Sequence, residues 1–238
     1  MRKILLTINT MVLLGIVCFL GYQHVKSQEI PKELQVERLS IVGPDGNLYV
    51  SISNPEQQAL ATTHGVPHYP DSKRDLPGLI FFNRVGDEVG GIYYDGNDEE
   101  SFSGITFDQQ KNDQILAITK DEYRDGDEWK RWYGMFLRER SDSIRVKTLF
   151  EQLKEDIKDL GEEEKQKAYL KFKKYIDSEI NVYRMFLGRE ENKNVGLFLY
   201  DSKGKERIKI YVDTLDVPRI TIIDTLGNEK RIAHTILE

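Results

Sequence analysis

The sequence predicts a mainly β domain, an antiparallel meander or barrel-like sheet, with a helical hairpin insert and an N-terminal transmembrane helix. Three observations carry that expectation: an apolar run at the start, period-two alternation over most of the rest, and one stretch of helical spacing.

Arg2 and Lys3 precede Ile4 to Tyr22, a run in which only Thr7, Asn9 and Thr10 are clearly polar. As a helix that run measures roughly 28 Å, close to the roughly 30 Å of a bilayer's hydrocarbon. The basic tail should stay in the cytoplasm and place the remainder outside. Two rival readings exist. A cleaved signal would use Val25 and Ser27 as the small residues before a cut after Ser27. A lipoprotein would use Cys18, but Val17 is not the small residue that such processing needs. The apolar length favours an uncleaved anchor, and all three readings export the domain.

Beyond the anchor, Leu48, Val50 and Ile52 alternate with polar neighbours. So do Val195, Leu197 and Leu199, then Ile208, Ile210 and Val212, then Ile220 and Ile222, and finally Ile232, His234 and Ile236. Leu79–Phe82 and Met135–Leu137 are further apolar runs of strand length. Alternation puts the apolar side chains on one face, and segments this short can share a core only by lying side by side. Between them recur turns such as Asp45-Gly46-Asn47, Gly86-Asp87, Asp95-Gly96-Asn97, Asp125-Gly126-Asp127, Gly204 and Gly227. Glycine suits a tight hairpin because it takes a positive φ without a Cβ penalty. The spacing is uneven, which argues against a regular solenoid or propeller.

Two segments depart from alternation. Asn54 to Pro77 holds Pro55, Pro67, Pro70 and Pro77 and reads as a long loop. Ser143 to Ile180 turns helical. Val146, Leu149, Phe150, Leu153, Ile157 and Leu160 form one stripe, and Ala168, Phe172, Tyr175 and Ile176 a second. Gly161 suits the left-handed residue that ends the first helix. Glu162–Glu164 and Lys171, Lys173 and Lys174 complement the dipole of the second. The expected organisation is a signal-anchor over 1–28, a β segment over 29–142, a helical hairpin over 143–179, and a β segment over 180–238 completing the same domain.

Glu37–Gly46, Gly78–Glu88 with Gly90-Gly91, and the terminal strand-turn units resemble a family of uncharacterised exported bacterial proteins with an N-terminal anchor and repeated strand-Gly-turn units. The resemblance covers most of 37–120 and 193–232. It implies architecture only, because no activity or catalytic residue comes with it.

The formal net charge is −6; residues 1–28 contribute +3, so the remainder carries −9. A domain that acidic repels phosphate backbones, and nucleic acid is not an expected partner. The single cysteine, Cys18, lies in the apolar run, so disulfides and zinc thiolates are excluded from the domain. His64 and His68, with Asp71 and Asp75 behind them, have metal-ligand spacing only on a helix, which Gly65, Pro67 and Pro70 forbid. The acidic runs 95–100 and 121–128 read as solvated hairpin turns, and the second also fails the helix-loop-helix calcium pattern because Tyr123 and Trp132 occupy positions that need oxygen ligands. No Gly-x-Ser-x-Gly elbow, phosphate-cradling loop or His-Glu-x-x-His pair occurs, and no catalytic residue, metal or cofactor is expected. His234 alternates with two isoleucines and reads as a strand residue. Tyr93, Tyr94, Trp129, Trp132 and Tyr133 are the candidate ligand-binding residues, since exposed aromatics stack on flat apolar ligands. The expected function is a membrane-tethered, non-enzymatic, extracytoplasmic module. The membrane meets it through residues 4–22, and another envelope component is its partner. A polymer- or ligand-binding domain and an unrecognised hydrolase are the alternatives.

Overall fold

A computed structural model describes residues 2–27, 32–68 and 73–232. The chain forms two units, 1–36 and 37–238. The first holds α1 (Arg2–Ser27), the one helix among the described residues long and apolar enough to cross a membrane, and a signal sequence meets the same criterion.

The second unit is one antiparallel sheet of twelve strands. In chain order they are β1 (Arg38–Val42), β2 (Leu48–Ser53), a two-residue pair β3 (Thr62–Thr63) and β4 (Val66–Pro67) outside the main sheet, then β5 (Gly78–Phe82), β6 (Glu88–Gly96), β7 (Glu100–Asp108), β8 (Gln114–Asp125) and β9 (Glu128–Glu139). Helices α2 (Val146–Ile157) and α3 (Glu162–Tyr175) follow, and a π turn over 176–180 leads into β10 (Val182–Arg189), β11 (Val195–Tyr200), β12 (Glu206–Val212), β13 (Pro218–Ile223) and β14 (Glu229–Arg231). Strands adjacent in main-sheet chain order are adjacent in the sheet, so it is a pure meander. β1 and β14 are its open edges, which corrects the barrel-like alternative: the sheet does not close.

One five-residue turn recurs. At 43–47, 83–87, 190–194, 201–205, 213–217 and 224–228 the first residue's N–H bonds the fifth residue's carbonyl, and the fourth residue's N–H bonds back to the first. In these six the fourth residue has positive φ, at Gly46, Gly86, Lys193, Gly204, Asp216 and Gly227, whereas the turn 109–113 makes the same two bonds with positive φ at its third residue, Lys111. This explains the uneven glycine spacing. Lys193 and Asp216 take the left-handed position without glycine, so counting glycines skips two turns. From Glu190 onward the turns open at Asp201, Asp213 and Asp224, which is a near-regular unit of one strand and one turn.

Three local expectations are corrected. Gly96 ends β6 instead of making the turn, which Asn97 closes by donating its N–H to the Glu100 carbonyl. Gly161 has φ −69 and starts α3, with Glu164 accepting its N–H. The loop 54–77 is partly ordered: Asn54 caps a short 3-10 turn, and β3 and β4 pair. His234 and Ile236, like Pro70 and Asp71, lie outside the described residues.

The larger correction concerns the core. The sheet's buried face is aromatic, and its aliphatic alternation points the other way. Registers carry one row across the sheet from Ala117 to Phe136, Phe186 and Phe198, all buried. Phe136 stacks on Phe186, Phe186 on Phe198, and Phe198 on Tyr211, with ring centroids 4.9, 5.7 and 6.0 Å apart. Beside that row Gly134, Gly188 and Gly196 sit side by side. A Cβ on Gly134 would lie 2.4 Å from the Phe186 ring, and one on Gly196 would lie 2.4 Å from Tyr211 Cβ. Rings lying flat over neighbouring glycines let a single layer bury its aromatics without a second sheet. At the other end the loop closes over the same face, where Ala59 packs with Ile80 and Phe82.

Candidate functional site

The opposite face is left bare. Leu39 pairs with Ile52, and the row continues through Leu79, Ile92, Ile105, Ile118, Met135, Leu187, Leu197 and Ile210 to Ile220. Two residues along each strand a second row runs from Ile41 and Val50 through Phe81, Phe107, Leu116, Leu137, Met185, Leu199 and Ile208 to Ile222, interrupted only by Gly90. Cross-strand contact covers part of each side chain. Even so Ile118 is 53% exposed, Phe107 49%, and Leu187 and Ile210 46% each. At about 4.8 Å per strand the band is roughly 50 Å wide, and two rows make it about 14 Å deep, on the order of 700 Å². The largest apolar patch on an ordinary monomer is about 300–600 Å².

A polar rim borders the band. Glu122 accepts from Lys120 and Arg131 at 3.0 Å each, and these bonds, with the Lys120 bond foremost, hold its carboxyl below the usual range. The five candidate aromatics do not converge. Tyr94, Trp129 and Tyr133 lie on the aliphatic side, with Trp129 between the guanidinium groups of Arg124 and Arg131 at 6.0 and 5.9 Å. Tyr93 and Trp132 lie on the aromatic side. Tyr93 lies over Gly104, and Trp132 meets Phe136 edge-on at 5.4 Å. Trp132, Tyr183 and Tyr200 line an open cleft of about 310 Å³ there.

A second, polar cleft of about 350 Å³ lies among the β3–β4 pair, β6, the β7–β8 turn and the start of α2. Arg74 donates from Nη2 to both oxygens of Glu88 at 3.0 and 2.9 Å. Thr63 Oγ1 and His68 Nε2 lie 2.6 Å apart across the small hairpin, whose turn holds His64 at φ 51. Burial, reinforced by the charges of Glu88 and Asp113 and opposed by Arg74 and Arg140, pushes Asp108 up to about 7. Its Oδ1 is buried without a hydrogen-bond partner. Arg140, wholly buried, donates Nε to the Gln114 carbonyl at 2.8 Å and pairs with Asp113 at 3.0 Å. The cleft therefore offers a carboxyl that can hold or release a proton near neutral pH. Asp108, the residue that sequence reading missed, carries no motif. Its perturbation comes first from burial and then from charges on β6, the β7–β8 turn and the 54–77 loop that folding brings around it.

The aliphatic face was missed for a different reason: its residues read as core. The discriminating signal is on the intervening positions, where Gly134 and Phe136, Phe186 and Gly188, and Gly196 and Phe198 alternate large with small. Strands apolar on both faces, one aromatic with glycine and one aliphatic, have two surfaces to cover. No protein-family model, curated protein or solved structure matches the chain.

Proposed function

We infer that this protein is a membrane-tethered, non-enzymatic module held outside the cytoplasm, whose sheet contacts another component of the cell envelope. The bare aliphatic face carries the reading. A band of this size left in water forfeits about 25 cal/mol per Å², and covering it drives association. Arg2 and Lys3 ahead of the apolar helix support the outward orientation. The resemblance to exported anchored proteins supports the same side of the membrane, whether the helix is kept or cleaved.

Protease added to intact spheroplasts should digest the domain, and protection of the domain beside an intact cytosolic control would put it on the wrong side. Replacing Ile118 and Leu187 together by Glu should leave the circular dichroism unchanged and abolish co-purification of the contacted component from membranes. Undiminished co-purification would remove the aliphatic face from the reading.

A further inference from the structure

We propose that the aliphatic face is covered by the same face of a second copy of this chain, so that two sheets pack into one sandwich. The proposal rests on the reading that this face is where the protein makes its contact, and it names the occupant.

Three observations select a second copy. The first is form. The band is two registered rows of apolar side chains, aliphatic except at Phe81 and Phe107 and broken at Gly90, and a surface that suits such a band is another pleated apolar sheet about 10 Å away. The second is area. Covering about three quarters of the band on both copies removes roughly 1,000 Å² from water, about the minimum that a biological interface has to clear. The third is charge. The two rows contain no acidic residue, so the −9 of the domain lies outside the contact. Repulsion between two such domains is screened beyond about 8 Å at physiological salt. That same net charge opposes docking of the face onto an anionic bilayer. The Lys120–Glu122–Arg131 network and Tyr133, all on β8 and β9, then form part of the charged and aromatic rim that such an interface carries outside its dry centre. An isologous pair related by a two-fold axis normal to the membrane also lets both copies keep their anchors in one bilayer.

The test uses the full chain in its own membrane, with the photo-reactive amino acid benzoylphenylalanine at Ile118 and, as control, at the turn residue Leu215, which is 78% exposed. Irradiation should give an adduct of twice the 27.7 kDa chain from position 118 and none from 215. Adding Leu187→Glu, or separately Ile220→Glu, should cut that adduct about tenfold or more, because each sets a carboxylate against a dry aliphatic layer. Both sites are solvent-facing in the single chain, so a retained tryptic pattern will show that the fold is kept. An adduct with a different protein, or with lipid, overturns self-pairing and leaves a contact through this face standing. No adduct from a chain of intact tryptic pattern overturns both.

Discussion

Asp201, Asp213 and Asp224 show how much one carboxylate can organise. In each turn Oδ1 accepts the N–H groups two and four residues on, at 2.8 to 3.0 Å. In the first two, Oδ2 takes a guanidinium six residues on, from Arg207 and Arg219. The Lys205 and Lys203 N–H groups with Arg207 hold Asp201 down at about 2. The fourth position needs positive φ, which glycine adopts freely and other residues adopt at about 1–2 kcal/mol. Gly204→Val should therefore destabilise by at least about 1 kcal/mol more than Gly204→Asn, because asparagine tolerates this conformation. Asp216→Gly should stabilise by about 0.5–1 kcal/mol. Urea midpoints will show the order, and equal midpoints for the two Gly204 variants would contradict the turn geometry. Asp108 acts in the opposite sense. Its folded value near 7 lies above the ordinary carboxyl range, so as pH rises from about 4 to 7 the unfolded chain ionises it and the folded chain does not. Stability from this group is thus lost on going up in pH. Asp108→Asn should gain on the wild type at pH 8 relative to pH 4.5, and an identical difference at both pH values would refute the shift.

The strands between these turns were legible because alternation is local, and so was the helical pair, whose stripes meet where Phe150 and Phe172 lie 4.8 Å apart. What alternation could not say is which face is buried. It reports that one side is apolar, whereas burial depends on what lies across the next strand, such as Gly188 beside Phe186. The boundaries missed have the same origin: Gly161 and Gly96 look like turn residues, but hydrogen bonds to Glu164 and Ser101's strand decide their roles. Leu153 and Ile157 of α2 and Ile176 and Ile180 of the π turn are buried. The helical pair is tied to the β7–β8 turn by Asn112, which donates to the carbonyls of Ser141 and Ile144. β9 and β10, however, pair directly from Glu139–Val182 to Tyr133–Arg189. Replacing 143–179 by a short Gly/Ser linker should keep one cooperative unfolding transition. The midpoint should fall, at about 1.5–3 kcal/mol for each large side chain no longer buried. Loss of cooperativity would make the helical pair part of the sheet's own core.

For the whole molecule, the meander, the open helical insert and the apolar N-terminus followed from the order of signals along the chain, while the two clefts did not. Asp108 and the loop residues Arg74 and His68 come from separate stretches, and only strand pairing and loop closure bring them to one place. The meander has one more consequence. Because among the described residues each strand of the main sheet is hydrogen-bonded only to its neighbours in the row and the end strands β1 and β14 are not paired with each other, stability is passed along the sheet as in a row of linked springs. The end strands, five residues of β1 and three of β14, have a neighbour on one side only and open first. The longest registers, β7–β8 and β8–β9, lie inside the row and open last. Amide hydrogen exchange on the full chain should therefore slow steadily from β14 inward to β9 and from β1 inward to β8. A single plateau of protection would mean that the strands melt together. Since α1 precedes β1, a pull against the anchor would load β1 first and strip the sheet strand by strand, at a force set by one strand pair at a time and independent of the number of strands left.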